Sequence, residues 1–250
     1  MESDRSNGPH RALHNVDVLR EIFCHFRLDD DFTIPSDDPK YLAQCACVCK
    51  AFSEHALDAP WSKLDKLLPL LNVLVTSFAP VEENDGNLPY NLLRAIPKVE
   101  FLRLRHYAPR RVRVLSFNFE NEHISPSVFH MLAYLSQGTL LFSSISTLTW
   151  NQVHPLGMEM PLFMSPSLMK LKIIARDRDS SHKVRDPAFN LLVSPLSILT
   201  PTLQSLTIWA GAEQSLPVHD LAQLQSLRAL HIYSKVSTQS VVDYLQEWKT

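Results

Sequence analysis

Glycine is scarce in this chain: five glycines are spread over 250 residues, and no two lie close together. Phosphate-binding loops need clustered glycines, because the backbone must approach phosphate oxygens closely without a Cβ atom in the way. Two further signatures are missing, the His-Glu-x-x-His sequence of helical zinc proteases and the Gly-x-Ser-x-Gly turn of serine hydrolases. We therefore expect no cofactor, no metal and no catalytic residue. An enzyme whose catalytic side chains converge from distant parts of the sequence stays open as an alternative.

An excess of charge of either sign is also missing, since 24 lysines and arginines stand against 26 acidic residues. The resulting net charge of -2 does not favour a nucleic-acid partner. Uninterrupted apolar runs of membrane-spanning length are absent, and residues 1–14 are polar, unlike a signal peptide. We therefore expect no membrane partner and a cytoplasmic or nuclear location.

Cysteine is limited to four residues, three of which alternate at Cys45, Cys47 and Cys49. On a helix Cys45 and Cys49 share a face while Cys47 points elsewhere, so the three do not form a tetrahedral metal site. The preferred interpretation is small, buried apolar residues in a reducing compartment, with a metal site as the alternative.

Three stretches with helical apolar spacing occupy residues 15–71. Asn15 is placed to cap the first, which runs over residues 15–27. After a polar loop, Asp38-Pro39 supplies an N-cap and a first-turn proline for the second. Trp61 begins the third, which continues as a single apolar helix to Leu71.

This region resembles an F-box. The resemblance rests on Asp17, Ile22-Phe23, Val48-Cys49-Lys50, Phe52 and Trp61, which follow one another in the order of the family's motif. An F-box docks a Skp-type adaptor and through it a cullin, so the resemblance implies those partners for this chain. The implied adaptor-binding residues are Leu19, Ile22, Phe23, Phe26, Leu42, Val48, Cys49, Phe52 and Trp61.

One apolar pattern recurs five times after residue 110, and in four copies a serine or threonine precedes it. Helix signals such as Ser125-Pro126 stand between the copies. Short strands alternating with helices predict one sheet of parallel strands, starting near residues 112, 145, 168, 203 and 227. The copies are Val112/Leu115/Phe117, Ile145/Leu148/Trp150, Leu168/Leu171/Ile173, Leu203/Leu206/Ile208 and Leu227/Leu230/Ile232.

This half resembles degenerate leucine-rich repeats, and together with the F-box it resembles F-box/leucine-rich-repeat proteins of mushroom-type fungi. The consensus Asn or Cys after each strand is missing, so we expect irregular turns. The expected fold class is α/β, with an N-terminal helical F-box followed by an irregular leucine-rich-repeat solenoid with a parallel sheet. The expected domains are a disordered tail (1–13), the F-box (14–71), a linker with a helix (72–109) and the repeats (110–250).

Strand alternation places the residues between the apolar positions on the opposite face of the sheet. Trp209 and Tyr233 occupy equivalent places in consecutive copies, so we expect them side by side and exposed. The alternative is that Trp209 packs under residues 210–216. The outward positions are Ser116, Asn118, Thr149, Asn151, Lys170, Lys172, Thr207, Trp209, His231 and Tyr233. Of these, Lys170, Lys172, Trp209, His231 and Tyr233 are the expected substrate-binding residues.

The resemblance implies a substrate-recognition subunit of a Skp-cullin-F-box ubiquitin ligase, which brings a protein substrate to the ligase and does no bond chemistry itself. A leucine-rich-repeat scaffold with no role in ubiquitin transfer is the alternative. The two differ in whether one set of residues leaves an exposed apolar patch or is used entirely for packing on the solenoid, namely Leu19, Ile22, Phe23, Val48, Phe52 and Trp61.

Overall fold

The structure, a computed structural model, describes residues 15–24, 38–74, 76–80, 90–152, 159–175, 195–209, 221 and 223–233. The chain divides into two compact units, the first ending at Lys63 and the second beginning at Leu64. Helices and a sheet of parallel strands are both present, so the predicted α/β class is confirmed. The tail predicted over residues 1–13 lies outside the described residues.

The first unit contains three helices, α1 (Val16–Cys24), α2 (Asp38–Ala46) and α3 (Lys50–Ser62). Asn15 caps α1 as the sequence predicted, because its Oδ1 accepts hydrogen bonds from the backbone N–H of Asp17 at 2.9 Å and of Val18 at 3.4 Å. A small core joins the helices, and its buried members are Leu19, Phe23, Leu42, Ala56 and Ala59.

The predicted third helix from Trp61 to Leu71 is wrong. Trp61 belongs to α3, after which the chain turns into the short strand β1 (Lys63–Leu64) and a separate helix, α4 (Leu68–Leu71). The cause lies far along the chain: the carboxylate of Glu122 accepts hydrogen bonds from the N–H groups of Leu67 at 2.5 Å and Leu68 at 2.9 Å. These two bonds hold the start of α4 within the second unit. The sequence analysis had predicted that the first domain extends to residue 71.

The segment predicted as a linker with a helix contains a two-stranded antiparallel ribbon, β2 (Phe78–Pro80) with β3 (Tyr90–Leu92), and the helix α5 (Lys98–Arg111). The rings of Phe78 and Tyr90 stack at 5.2 Å across the ribbon. The ribbon occupies the chain up to Leu92, and the helical hydrogen bonds of α5 start at the carbonyl of Pro97.

The main sheet has the strand order β1-β4-β5-β6-β7-β8, and β4 to β8 pair in parallel. These strands are β4 (Val114–Asn118), β5 (Thr147–Gln152), β6 (Lys170–Ala175), β7 (Ser205–Trp209) and β8 (Ala229–Tyr233). The connections include α6 (Phe119–Glu122), α7 (Pro126–Ser136), a 3₁₀ turn (Met160–Phe163) and α8 (Leu196–Leu199). The predicted parallel strands are therefore present in the second unit.

Each strand begins two residues later than predicted, because the first apolar residue of a copy lies in a turn. The N–H of Leu168 donates to the carbonyl of Ser165, and the N–H of Leu203 donates to that of Thr200. These leucines are buried like the strand residues, so their apolar character reports packing and not strand conformation.

The inner face of the sheet is built from two rows of equivalent residues, one of leucines and one of aromatic residues and isoleucines. Phe117 and Trp150 are neighbours in the second row, with ring centroids 4.3 Å apart. Phe129 of α7 and Phe163 of the 3₁₀ turn pack on them with edge-on and tilted rings. The rows are Leu115–Leu148–Leu171–Leu206–Leu230 and Phe117–Trp150–Ile173–Ile208–Ile232.

The hydroxyls that precede the repeated pattern link each copy to the one before it. Ser167 Oγ donates to the carbonyl of Ser143 at 3.0 Å, Thr202 Oγ1 to that of Pro166 at 2.5 Å, and Ser226 Oγ to that of Pro201 at 2.7 Å. Ser146, which follows Ile145 and is not equivalent to these three, donates its Oγ to the carbonyl of Arg113 at 3.1 Å. We call Ser167, Thr202 and Ser226 the hydroxyl ladder. They satisfy turn carbonyls of the preceding copies.

The ladder bond of Thr202 can be removed without changing the shape of the side chain. Thr202→Val should lower the free energy of unfolding by about 0.5–1.5 kcal/mol, because the carbonyl of Pro166 loses its hydroxyl donor. Urea unfolding is the measurement, with Thr207→Val in β7 as the control. Equal stability of the two variants would show that the ladder contributes nothing.

The leucine row predicts a graded response to cavity formation. Leu206 is fully buried, so Leu206→Ala should cost about 2–5 kcal/mol. Leu230 lies in the last strand of the sheet and is only half-buried, so Leu230→Ala should cost less, about 1–2 kcal/mol. Urea midpoints of both variants test this order, which a larger loss in Leu230→Ala would contradict.

Candidate functional site

The face of the sheet opposite the core carries the side chains between the leucine and aromatic positions. We call this the polar face and define it by the ten outward positions predicted from the sequence. Lys170, Lys172 and His231 are exposed, while Ser116 and Thr149 are half-buried. Asn151 is an exception, because it is buried and its Oδ1 has no hydrogen-bond partner among the described residues. The expected alternation of the strands is therefore present, with one residue less accessible than expected.

An aromatic pair is the most prominent feature of the polar face. Trp209 and Tyr233 are register partners on β7 and β8, and their rings stack with centroids 4.2 Å apart and planes inclined by 23°. Trp209 is 43% exposed and Tyr233 is 48% exposed. The two residues lie side by side at the surface, as the sequence predicted.

A lysine completes this arrangement. The Nζ of Lys172 lies 5.8 Å from the ring centroid of Trp209. A cation at this distance from an indole face is attracted by the electron-rich ring. Lys172 and the two rings therefore form one cluster on the polar face, which we call the Lys172–Trp209–Tyr233 cluster.

Ile174 was not among the predicted outward residues. It pairs with Trp209 in the register of β6 and β7, and it is half-buried. The signal was available in the sequence, since Ile174 directly follows the core residue Ile173 and must point the other way. This isoleucine extends the apolar part of the polar face next to the aromatic pair.

The residues predicted to bind an adaptor are distributed between the core and the surface of the first unit. Leu19, Phe23 and Leu42 are buried in the core, so their expected role as contact residues is corrected: they hold the helices together. Leu19 and Phe23 are four residues apart and form the inward stripe of α1. Phe52 is half-buried and packs edge-on against Phe23, with ring centroids 5.8 Å apart.

Three other members of the predicted set are exposed. Ile22 is 45% exposed, Val48 is 67% exposed, and Cys49 is also at the surface. Trp61 is half-buried at the end of α3, and Phe26 lies outside the described residues. The exposed part of the predicted set is therefore Ile22, Val48 and Cys49.

Further apolar side chains are exposed on the same helices, and the sequence analysis missed them. Val16 and Val18 on α1 and Tyr41 on α2 are each more than a third exposed. Val18 and Ile22 are four residues apart, so they form a second stripe beside the buried one. We call Val16, Val18, Ile22, Tyr41 and Val48, which are distributed over α1, α2 and the turn after α2, the apolar surface of the first unit.

The cysteines differ from the sequence-based interpretation. Cys47 and Cys49 are exposed free thiols and Cys45 is half-buried, so they are not three buried core residues. The turn that ends α2 explains this, because the N–H groups of Cys47 and Val48 bond back to Gln44 and Cys45 and carry the chain out of the helix. Within the described residues, no three potential metal-ligating side chains are grouped for an ion.

Two buried carboxyl groups serve the structure of the second unit. Burial raises the pKa of Glu122, although its Oε2 accepts the two backbone N–H bonds at the start of α4. Glu100 behaves oppositely, because the Thr76 hydroxyl donates to its carboxylate and lowers its pKa despite burial. Each carboxyl group therefore accepts hydrogen bonds from a segment of the same chain that is distant in sequence.

None of the helices in the described ranges is both long and apolar enough to cross a bilayer. Comparison of the chain with protein-family models, with curated proteins and with solved structures found no match. The polar face and the apolar surface are therefore the features of this protein that indicate a function.

The raised pKa of Glu122 predicts a measurable pH dependence. A carboxyl whose pKa rises on folding favours the folded state when it is protonated, and this contribution is lost as the pH rises through the raised value. Glu122→Gln is neutral at every pH. The wild type should therefore gain stability relative to Glu122→Gln when the pH falls from 7 to 5.

Urea unfolding of both proteins at the two pH values tests this sign. Glu122→Ala is the second variant: it leaves the N–H groups of Leu67 and Leu68 without their acceptor and should cost about 1–3 kcal/mol at both pH values. The prediction would be contradicted if the wild type lost stability relative to Glu122→Gln between pH 7 and pH 5. It would also be contradicted if the difference in the free energy of unfolding between the two proteins were the same at both pH values.

Proposed function

We propose that this protein is the substrate-recognition subunit of a Skp-cullin-F-box ubiquitin ligase. Its first unit docks a Skp-type adaptor as an F-box does, and its second unit, whose sequence resembles degenerate leucine-rich repeats, holds a protein substrate on the polar face. The observation that carries the proposal is the apolar surface of the first unit, which remains exposed although the three helices have a core of their own.

The division between core and surface supports the docking role. Leu19, Phe23 and Leu42 already provide the inward contacts of the helices, so Ile22 and Val48 are not needed for packing. Exposed apolar side chains grouped on one small unit are typical of a protein-protein contact. These two residues also belong to the motif pieces by which the sequence resembles an F-box.

The regularity of the second unit supports the leucine-rich-repeat part of the proposal. From β4 to β8, each strand pairs in parallel with the next strand in sequence, and equivalent leucines meet in one row. The hydroxyl ladder repeats the same bond in three successive copies. Repeat proteins of this kind present an extended surface to their partners.

The mechanism is positional. A receptor that binds the adaptor through one unit and the substrate through another raises the effective concentration of substrate lysines near the ubiquitin donor. The rate gain comes from converting an encounter of separate molecules into a reaction within one complex. No residue of this chain has to take part in bond formation.

The proposal predicts that the apolar surface determines adaptor binding. Ile22→Asp and Val48→Asp, made singly in the full chain, should each weaken binding of a Skp-type adaptor by tenfold or more. A carboxylate would be transferred from water into a dry interface without a partner, which costs about 1–3 kcal/mol or more. Both residues are exposed in the free protein, so the fold should tolerate the changes.

Isothermal titration calorimetry with the full chain measures this effect. Ile198→Asp is the matched control, since Ile198 is 80% exposed on α8 in the second unit and the same change there should leave adaptor binding intact. Failure of the wild type to bind an adaptor at tens of micromolar would overturn the proposal. The interaction scaffold with no role in ubiquitin transfer would then be the better reading.

A further inference from the structure

We propose that the polar face binds an extended acidic segment of a protein, with anionic groups on alternate residues paired to Lys170 and Lys172 and an apolar side chain laid on Trp209 and Tyr233. This inference deepens the proposed function, because it names the chemistry of the substrate, and it rests on that function only in calling the partner a substrate.

Charge is the first argument. The sequences of β4 to β8 contain no aspartate and no glutamate, while Lys170 and Lys172 on β6 are both exposed. Arg228, directly before β8, is exposed as well. The whole chain carries slightly more acidic than basic residues, so its composition does not explain why these strands lack acidic residues. A partner complementary to this face carries negative charge.

Spacing is the second argument. Lys170 and Lys172 are alternate residues of one strand, so their Cα atoms are about 6.6 Å apart at a rise of 3.3 Å per residue. Alternate side chains of an extended peptide have the same spacing. A segment that runs along β6 therefore meets both lysines with residues i and i+2, which is the pattern acidic-x-acidic.

The register of the sheet gives the third contact. Trp209 pairs with Ile174, which lies two residues beyond Lys172 on the same strand, and Tyr233 pairs with Trp209. The next alternate side chain of the bound segment thus arrives at the level of Ile174 and the stacked rings. This surface is apolar and flat, and it favours an apolar or aromatic side chain at that position.

The Lys172–Trp209–Tyr233 cluster connects the two kinds of contact. Lys172 is held 5.8 Å from the centroid of the Trp209 ring, so its ammonium group is placed between the anion position and the aromatic pair. An ordered lysine has less conformational freedom to lose when a carboxylate binds. The recognised pattern is therefore two anionic residues at alternate positions, with an apolar residue two positions from one of them.

A random dodecapeptide display library, selected against the full chain, tests the pattern. The expected result is enrichment of acidic residues at i and i+2 with an apolar residue at i+4, or the same pattern in reverse order. Selection against the double variant Lys170→Gln/Lys172→Gln should lose this enrichment. Lys98→Gln/Arg103→Gln, which removes two exposed positive charges from α5, is the charge-matched control and should retain it. No enrichment, or enrichment without acidic residues, overturns the inference.

Fluorescence anisotropy with one enriched peptide then separates the contacts. Replacing both acidic residues of the peptide by glutamine should weaken binding at least tenfold, and so should Trp209→Ala or, independently, Tyr233→Ser at an unchanged melting temperature. Phosphoserine in place of the two acidic residues distinguishes phosphate from carboxylate as the preferred anion. Tighter binding of a single-stranded oligonucleotide than of the peptide would overturn the inference in favour of a nucleic acid.

Adaptor binding is measured on the same variants. Lys170→Gln/Lys172→Gln should bind the adaptor as the wild type does. Peptide binding without adaptor binding would refute the proposed function and leave this inference intact, and the opposite result would refute this inference alone.

Discussion

The in-register parallel pairing of β4 to β8 is the constraint on which the second unit depends. Because equivalent residues meet across every strand pair, one leucine in the repeated pattern becomes a continuous row, which is buried from Leu115 to Leu206. The same register brings outward residues together in rows, so the position of Trp209 beside Tyr233 follows from the pairing of Leu206 with Leu230. The core residues and the residues of the candidate site therefore lie on opposite faces of the same sheet, and one strand register sets both.

The hydroxyl ladder supports this pairing at the turns that precede the last three copies. A serine or threonine before each of the last three copies donates to a carbonyl of the preceding copy. A polar residue in this place was visible in the sequence, but its partner was not, since the bonded carbonyls lie 24 to 36 residues earlier in the chain. The repeat shows that a serine or threonine recurs at this position, whereas the carbonyl that accepts its hydrogen bond is known only from the structure.

The sequence predicted features that depend on local pattern and missed those that depend on distant contacts. Asn15 as a helix cap follows from spacing within a few residues, and the parallel strands and the aromatic pair follow from the repetition of one short pattern. At the break between α3 and α4, Pro69 in the first turn of α4 was a local signal, whereas the bonds from Glu122, more than 50 residues away, were not visible in the sequence. In the first unit, helical spacing identified the apolar residues but could not decide between the inward stripe of Leu19 and Phe23 and the exposed one of Val18 and Ile22.

The hydroxyl ladder also bears on how such a chain could change its length. Each ladder bond and each strand pair joins a copy only to its immediate neighbour, so no bond of this kind spans the whole sheet. A duplicated or deleted copy would bring its own hydroxyl and meet an equivalent carbonyl at the new junction. A chain with more or fewer copies would therefore fold by the same rules, and its row of outward residues would be longer or shorter.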